Sequence, residues 1–457
     1  MAEQLNSVGI DVGTSTTQLI FSRLTVENRA TAYSVPDMQI SGREVIYRSP
    51  ISFTPLLSET RLDAPGIREI VAREYRNAGV RPADIATGAI IITGETARKE
   101  NARAVLEELK TFAGEFVVAT AGPDLESVLA AKGAGAEAYA RQTGKPILHM
   151  DIGGGTSNLA LIEGGKITQT GCLNVGGRLI RTGNGAITYV SPVLRSLCAL
   201  RAGMPVELTA LENVVQQLVH ALESAAGRNA LPVPESLLTN RLISLPPGQI
   251  IPSFSGGVAD LIDHSPADDF AYGDIGVLLG RAIRKSALCA GQYLLGRETI
   301  RATVIGAGCH STQLSGSTVF ARNVAFPLQN LPVICLTEQE QNAPAAALHR
   351  RIHVLRQRWE TGPAAIFLPG LLSPSYDALL DLAQRLAKIL PELPAPRVIV
   401  TGTDMAKALG QALATQVTGP LLCLDGLSLP EESFLDVAAP VSGGVAYPVV
   451  IKSLVLQ

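Results

Sequence analysis

The segment His149-Met-Asp-Ile-Gly-Gly-Gly-Thr-Ser-Asn158 lies between apolar residues that predict two strands, and Asp151 closes the first of them. Its three glycines predict a turn that no side chain obstructs, because glycine permits positive φ and close backbone approach. Successive backbone N–H groups in such a turn form a concave anion site. An aspartate beside that turn is the residue type that holds a hydrated divalent cation against phosphates. For this segment alone, a plain glycine-rich hairpin is the alternative.

A second copy of the pattern lies 140 residues earlier. Val8 and Ile10 lead into Asp11-Val-Gly-Thr-Ser-Thr-Thr17, and β-prone residues follow from Gln18 to Ser22. Asp and Gly are ordinary turn residues, so either copy alone fits a simple hairpin. Two copies form an internal repeat, and a repeat changes the predicted fold.

Composition limits the class of protein. The 457 residues suffice for roughly three domains, and 46% hydrophobic with 17% charged content predicts a large core rather than disorder. A net charge of −3 argues against a nucleic-acid-binding surface. The N-terminal residues Met1-Ala-Glu-Gln-Leu-Asn6 lack the basic flank and apolar core expected of a secretion signal, and no apolar run comes near the roughly 20 residues that span a bilayer. Six scattered cysteines predict free thiols in a reducing cytoplasm.

Strands and helices alternate along the chain, which predicts parallel sheet with helices on its faces. Helices are predicted at 66–78, 96–112, 123–139, 208–226, 274–288 and 345–360, and strands at 88–93, 116–119, 168–175, 249–254, 300–308 and 331–336. Further strands and helices alternate to the end of the chain. The predicted units are 1–145, 146–328 and a C-terminal α/β unit at 329–457.

Rival motifs fail. The chain has no Gly-x-x-x-x-Gly-Lys-Ser/Thr loop, and Gly133-Ala-Gly-Ala-Glu-Ala138 lies late in a predicted helix, so it indicates packing rather than dinucleotide binding. No His/Cys cluster has zinc spacing, and no Gly-x-Ser-x-Gly elbow is present.

Four segments, in order, resemble the actin, Hsp70 and sugar-kinase ATPase superfamily. They are the first phosphate loop Gly9-Ile-Asp-Val-Gly-Thr-Ser-Thr16, the interdomain helix Glu126-Ser-Val-Leu-Ala-Ala-Lys-Gly133, the second phosphate loop Asp151-Ile-Gly-Gly-Gly-Thr156 and the adenosine motif Ser255-Gly-Gly-Val258. The resemblance implies an α/β actin-like ATPase fold, with two duplicated RNase H-like halves around a nucleotide cleft and an additional C-terminal α/β unit.

The resemblance also implies site residues and the cofactors ATP/ADP and Mg²⁺. Asp11 and Asp151 would contact hydrated Mg²⁺, and Glu126 would orient the attacking water, which makes these three the catalytic candidates. The nucleotide-binding candidates are Gly13, Thr14, Ser15, Thr16, Gly153, Gly154, Gly155, Thr156, Gly176, Gly177, Ser255, Gly256 and Gly257. Glu95 is a further metal candidate, although a helix N-terminal carboxylate stabilised by the dipole explains it equally well.

Nearly the whole chain resembles the ethanolamine ammonia-lyase reactivating factor family. The resemblance is carried by Ser7-Val-Gly-Ile-Asp-Val-Gly-Thr-Ser-Thr-Thr-Gln18, Gly88-Ala-Ile-Ile-Ile-Thr-Gly-Glu95, Ala121-Gly-Pro-Asp-Leu-Glu-Ser-Val128, Asp151-Ile-Gly-Gly-Gly-Thr-Ser-Asn158, Cys172-Leu-Asn-Val-Gly-Gly-Arg178, Arg301-Ala-Thr-Val-Ile-Gly-Ala-Gly308, Leu314-Ser-Gly-Ser-Thr318 and Val449-Val-Ile-Lys-Ser-Leu454. Residues 182–250 depart from the family pattern.

That resemblance implies a chaperone-like ATPase whose partner is ethanolamine ammonia-lyase, an adenosylcobalamin-dependent enzyme. With ATP and Mg²⁺ it would open the lyase, release damaged cobalamin and admit adenosylcobalamin in the cytoplasm. A homodimer and association with the ethanolamine-utilisation microcompartment stay open, and neither nucleic acid nor membrane is expected as a partner. The alternatives are a sugar or metabolite kinase of the same fold and a non-catalytic nucleotide-binding scaffold.

Overall fold

The computed structural model describes residues 3–13, 16–30, 38–58, 61–92, 101–112, 123–296, 299–310, 312–316, 318–356, 362–371, 375–430, 433–441 and 443–453. The helices within them are α1 (Ala64–Ala78), α2 (Ala102–Leu109), α3 (Pro123–Gly133), α4 (Ala136–Thr143), α5 (Leu208–Ala225), α6 (Asp260–Asp263), α7 (Gly276–Lys285), α8 (Ala302–His310), α9 (Glu338–Gln341), α10 (Ala345–Arg356), α11 (Tyr376–Ala387) and α12 (Ala406–Ala414). The strands are β1 (Glu3–Val12), β2 (Thr16–Asn28), β3 (Met38–Arg48), β4 (Ser52–Phe53), β5 (Leu56–Ser58), β6 (Arg61–Leu62), β7 (Thr87–Ile92), β8 (Ile147–Ile152), β9 (Ser157–Glu163), β10 (Lys166–Leu173), β11 (Ile180–Gly183), β12 (Ala186–Val190), β13 (Ile251–Ser255), β14 (Leu294–Leu295), β15 (Thr312–Leu314), β16 (Phe320–Arg322), β17 (Leu328–Cys335), β18 (Ala365–Leu368), β19 (Arg397–Thr401), β20 (Leu421–Asp425), β21 (Ser433–Val437) and β22 (Pro448–Ser453).

The first sheet has the order β3-β2-β1-β7, and β4 pairs with β2. β1 is antiparallel to β2 and parallel to β7. The predicted helix α1 begins where the Asp63 carboxylate accepts a hydrogen bond from the Gly66 amide, and it ends at Gly79 in the left-handed conformation, with φ of 66°. Both ends follow the usual capping chemistry. The apolar side of α1 packs on this sheet.

The second sheet has the order β10-β9-β8-β13-β14. β8 is antiparallel to β9 and parallel to β13, so the path β10-β9-β8-β13 repeats the path β3-β2-β1-β7 in order and orientation. The internal repeat predicted from the two hairpins is therefore confirmed at the level of sheet topology. The helix predicted at 208–226 is α5, and its apolar residues at helical spacing are buried: Leu211, Val214, Val215, Leu218, Val219 and Leu222.

The C-terminal part forms an eight-stranded sheet of order β15-β22-β21-β17-β18-β19-β20-β16. Strands β17 to β20 are parallel, and buried residues of α10, α11 and α12 form one core with them. The strand and helix alternation predicted for this region is confirmed. Because β15 and β16 precede residue 329 yet belong to this sheet, we propose that the third unit begins at β15.

One predicted strand is wrong. Residues 300–308 were expected to be a strand, but 302–310 form helix α8. A short apolar run does not distinguish a buried strand from a buried helix. A Cβ on Gly306 would collide with the Leu129 carbonyl, and one on Gly133 with the Ala302 carbonyl, so the glycines serve close backbone packing of α8 on α3. The packing role predicted for the segment at Gly133 is confirmed.

Helix α3 packs on the second sheet, and helix α8 packs on the first. α3 precedes the second hairpin in sequence but contacts β8, β9 and β10, whereas α8 follows that hairpin and contacts β1, β2 and β7.

The helix predicted at 123–139 is divided into α3 and α4 by Gly135, whose φ is 78°. The predicted strand at 116–119 lies outside the described residues. Among the described residues, no helix is both long enough and apolar enough to traverse a bilayer.

Candidate functional site

The turns of the two repeated hairpins line one cleft of about 560 Å³. The predicted site residues that line it come from both hairpins, from α3 and from the segments after β10 and β13: Asp11, Gly13, Thr16, Glu126, Asp151, Gly153, Gly154, Gly155, Thr156, Gly177, Gly256 and Gly257. Segments far apart in sequence are thus brought together. Thr14, Ser15 and Glu95 lie outside the described residues, so nothing is added to their predicted roles.

The two hairpins have the same geometry. Asp11 pairs with Gln18 across β1 and β2, and Asp151 pairs with Asn158 across β8 and β9. The Gly13 amide donates to the Thr16 carbonyl at 2.9 Å, and the Gly153 amide donates to the Thr156 carbonyl at the same distance. Each hairpin therefore places one carboxylate at the end of a strand, with a carboxamide opposite it.

Two hydroxyls hold the Asp151 carboxylate. Ser255 Oγ donates to Oδ1 at 2.5 Å, and Thr303 Oγ1 of α8 donates to Oδ2 at 3.3 Å. Burial raises the pKa of Asp151 above its ordinary value, while the two hydrogen bonds act in the opposite direction. The carboxylate is oriented by groups from β13 and α8 and still lines the cleft.

Ser255 contacts the Asp151 carboxylate from the buried side, away from the cleft. It was predicted to bind nucleotide, but it is fully buried and is not among the cleft-lining residues. Its hydroxyl lies 2.9 Å from His149 Nε2, and His149 Nδ1 lies 3.0 Å from Ser253 Oγ. Because Ser255 donates its one proton to Asp151, it accepts from His149 Nε2–H, and Nδ1 accepts from Ser253. Burial lowers the pKa of His149 to about 3, so the ring is neutral.

Segment 176–178 braces the second turn. The Gly177 amide donates to the Gly153 carbonyl at 3.0 Å, and the Arg178 amide donates to the Gly154 carbonyl at 2.6 Å. A Cβ on Gly176 would collide with the Gly154 carbonyl. Gly176, a predicted nucleotide contact, does not line the cleft. Its contribution in this geometry is close packing on the turn.

Two carboxamide oxygens of cleft-lining residues have no hydrogen-bond partner in the described part of the chain. Gln18 Nε2 donates to the Ile300 carbonyl at 3.1 Å, and Asn158 Nδ2 donates to Glu126 Oε2 at 2.8 Å. Gln18 Oε1 and Asn158 Oδ1 are buried and have no hydrogen-bond donor within the described residues. An unsatisfied buried acceptor costs about 1–3 kcal/mol. Water molecules held by a bound ion would satisfy both.

This donor set fits a hydrated magnesium ion. The described residues contain no group of three or more His, Cys, Asp or Glu side chains that could hold a metal. Mg²⁺ does not need one, since it keeps several water ligands and binds through one or two carboxylates together with substrate phosphates. Asp11 and Asp151 would provide the two carboxylates, and Gln18 and Asn158 would provide acceptors for the water.

Sequence reasoning missed several residues of the cleft: Gln18, Asn158, Arg178, Asp260, Tyr272, Asp274 and Thr303. A signal existed for the first two, because the 140-residue offset that relates Asp11 to Asp151 also relates Gln18 to Asn158. No comparable signal exists for Thr303 or Asp274. Thr303 lies in segment 301–308, which resembles the reactivating factor family but is not one of the four ATPase segments, and Asp274 lies in no segment that carries a resemblance.

The model of the family described as Ethanolamine utilisation protein EutA matches residues 3–457. The chain belongs to the EutA family. The ethanolamine ammonia-lyase reactivase EutA of Escherichia coli strain K12 is 36% identical over 461 residues, which cover 99% of this chain and 98% of that protein. The EutA reactivase of Salmonella typhimurium strain LT2 is 37% identical over 464 residues, with the same coverage. The resemblance to this family seen in the sequence is confirmed.

Solved structures of other proteins are more distant from this EutA-family chain. A Ppx/GppA family member from Aquifex aeolicus is 13% identical with a TM-score of 0.41, and the match covers 66% of this chain and 97% of that one. The ethanolamine utilization protein EutJ from Carboxydothermus hydrogenoformans is 18% identical with a TM-score of 0.34, covering 66% and 89%.

Proposed function

We propose that the protein is an ATP- and Mg²⁺-dependent reactivating factor for ethanolamine ammonia-lyase, which releases damaged cobalamin so that adenosylcobalamin can rebind. One observation carries this proposal: a chain that the EutA family model matches over residues 3–457 has both Asp-Gly-hydroxyl hairpins on a single cleft. The two curated relatives are named as reactivases of that lyase. The fold would then be an actin-like ATPase fold with an added C-terminal unit.

In this proposal the nucleotide binds between the two repeated halves. Backbone amides of the two turns would bind phosphate oxygens, since glycine-rich turns form anion sites. Asp11 and Asp151 would hold hydrated Mg²⁺, which neutralises phosphate charge, and Glu126 would orient the attacking water. Phosphoryl transfer depends mainly on such positioning and charge neutralisation.

Helices α3 and α8 would transmit the nucleotide state. Each carries one cleft residue, Glu126 on α3 and Thr303 on α8, and their backbones meet at Gly133 and Gly306. Such close contact leaves little room for one helix to move without the other. A change in the groups bound by Glu126 and Thr303 would therefore shift both helices relative to the two sheets.

The test begins with ethanolamine ammonia-lyase that cyanocobalamin has inactivated. The protein is added with ATP, Mg²⁺ and adenosylcobalamin, and each component is omitted in turn while lyase activity is followed. We expect recovery with the full set and no recovery when any one component is missing. ATP-independent recovery would contradict the ATPase part. Phosphate transfer to a small alcohol without lyase recovery would favour a kinase, and ATP-dependent sedimentation without hydrolysis would favour a scaffold.

A further inference from the structure

The charges in the cleft are unbalanced. Five of its lining residues are acidic, namely Asp11, Glu126, Asp151, Asp260 and Asp274, whereas Arg178 is the one Lys or Arg among the lining residues that the structure describes. A cleft of this kind repels an anion unless cations compensate. Mg²⁺ between Asp11 and Asp151 would compensate at one end, and Arg178 is the cation that the chain itself supplies.

Arg178 is held in place from two sides. Its backbone amide donates to the Gly154 carbonyl at 2.6 Å, which fixes it beside the second turn. Its Nε lies 3.2 Å from Asp274 Oδ2, and the side chain is 26% exposed, so its guanidinium is oriented but reachable from the cleft. Within the described residues, Asp274 is the one hydrogen-bond partner of this guanidinium. Its terminal N–H groups remain available to a ligand.

Asp274 is suited to orient Arg178 without sequestering it. Its other oxygen, Oδ1, accepts a hydrogen bond from the Gly276 amide at 2.8 Å, at the start of α7. Burial raises the pKa of Asp274, while the Gly276 amide and the charges of Arg178 and Arg181 lower it. The charges of two guanidinium groups thus act on one carboxylate. The positive charge of the pair of arginines exceeds the negative charge that Asp274 supplies.

We propose that Arg178 binds the phosphate chain of the nucleotide and that Asp274 keeps its guanidinium oriented for this contact. The inference rests on the proposed nucleotide-binding function. The planar guanidinium donates paired hydrogen bonds that match phosphate geometry. It lies beside the turn whose amides face the same ligand, so both act on one set of phosphate oxygens.

The experiment compares adenosine, ADP and ATP binding, with Mg²⁺, by calorimetry in wild-type protein and in Arg178→Met. We expect ADP and ATP to bind roughly 10- to 100-fold more weakly to the variant, the range for charge-assisted hydrogen bonds. Adenosine affinity should stay unchanged, because adenosine has no phosphate. Arg178→Lys should recover part of the loss, since it keeps the charge and loses the paired donors. Arg178→Gln serves the same comparison if the Met variant does not fold.

The matched control is Arg284→Met. Arg284 Nε lies 3.2 Å from Asp263 Oδ1, the same distance as in the Arg178 pair, but Arg284 does not line the cleft. This variant should bind all three ligands like wild-type protein. Equal ADP and ATP affinity in wild-type protein and Arg178→Met would overturn the proposal. So would an equal loss for adenosine, which would indicate a packing role.

Failure of the proposed function gives a different result. Wild-type protein would then bind neither ADP nor ATP, and inorganic pyrophosphate becomes the probe for Arg178. Weaker pyrophosphate binding by Arg178→Met would support the phosphate contact on its own. Equal pyrophosphate binding by the two proteins, or none by either, would overturn it.

Discussion

The β1–β2 and β8–β9 hairpins share register and turn geometry, but their surroundings differ at one equivalent position. In the second hairpin, His149 of β8 bonds to Ser253 and Ser255 of β13. At the same place in the first hairpin, Gly9 of β1 pairs with Ala89 of β7. A Cβ on Gly9 would collide with the Val304 carbonyl of α8. The first hairpin thus leaves room at Gly9 for the backbone of α8. In the second hairpin, the hydrogen-bonded ring of His149 occupies the equivalent position.

Each of the two arrangements positions a hydroxyl that donates a hydrogen bond to Asp151. Because Gly9 lets α8 approach β1, α8 is positioned so that Thr303 can donate to the Asp151 carboxylate. His149 in turn orders Ser255, which donates to the same carboxylate. A repeated backbone therefore does not produce two equivalent sites. The side chain at one buried position decides whether a hairpin is supported by helix packing or by polar bonds.

The largest expected effect tests whether both carboxylates are needed. Asp151→Asn and Asp11→Asn should each lower Mg²⁺-dependent phosphate release by about 100-fold or more, because a lost charge at a phosphate-binding centre has effects of that order. Steady-state phosphate release from ATP measures this. Normal turnover in one variant would break the functional equivalence of the hairpins and remove that aspartate from the proposed metal site.

The second test concerns the helix side of the comparison. Gly9→Ala should lower the free energy of unfolding by about 1–3 kcal/mol, since overpacking displaces α8 from β1. Denaturant titration measures the loss. Gly42→Ala in β3 of the same sheet is the control, because among the described residues its Cβ would meet only the Thr25 side chain, at 3.2 Å. Equal stability of the two variants would contradict the close approach of α8.

The third test concerns the hydrogen bonds that Ser255 makes to Asp151 and His149 in the second hairpin. Ser255→Ala leaves Asp151 with one hydroxyl and leaves the buried His149 Nε2 unpaired, which should cost about 1–2 kcal/mol of stability. ATP hydrolysis should fall as well, by about 10-fold, through loss of Asp151 orientation. Ser255→Thr, which keeps the hydroxyl, should retain more hydrolysis than Ser255→Ala. Unaltered hydrolysis in Ser255→Ala would show that Asp151 does not need this support.

The smallest effect is a pH dependence. Burial raises the pKa of Asp151, so the ionised carboxylate destabilises the nucleotide-free fold. This penalty is complete above the raised pKa and disappears as the pH falls to the ordinary pKa of aspartate. Asp151→Asn should therefore raise Tm at pH 8, with a smaller difference in acid. A lower Tm at pH 8, recorded by calorimetry without nucleotide, would contradict this.

Sequence patterns were sufficient where short-range chemistry decides structure. The Asp-Gly-hydroxyl hairpins and the helices α1 and α5 were predictable, because turn residues and helical periodicity act within a few positions. The segments carrying Asp11, Glu126, Asp151 and Gly256 were predictable in order, through resemblance. These residues line one cleft because the two sheets repeat the same strand order.

Tertiary contacts decided the rest. Residues 302–310 form a helix that packs closely through glycines on α8, α3 and β1, and no local pattern shows which distant backbone a glycine will meet. Ser255 supports a carboxylate instead of lining the cleft, because β13 pairs beside β8. Arg178 becomes the cation of the cleft only when Asp274, 96 residues later, reaches its guanidinium. Such contacts depend on how the sheets and helices assemble, which neighbouring residues in the chain do not encode.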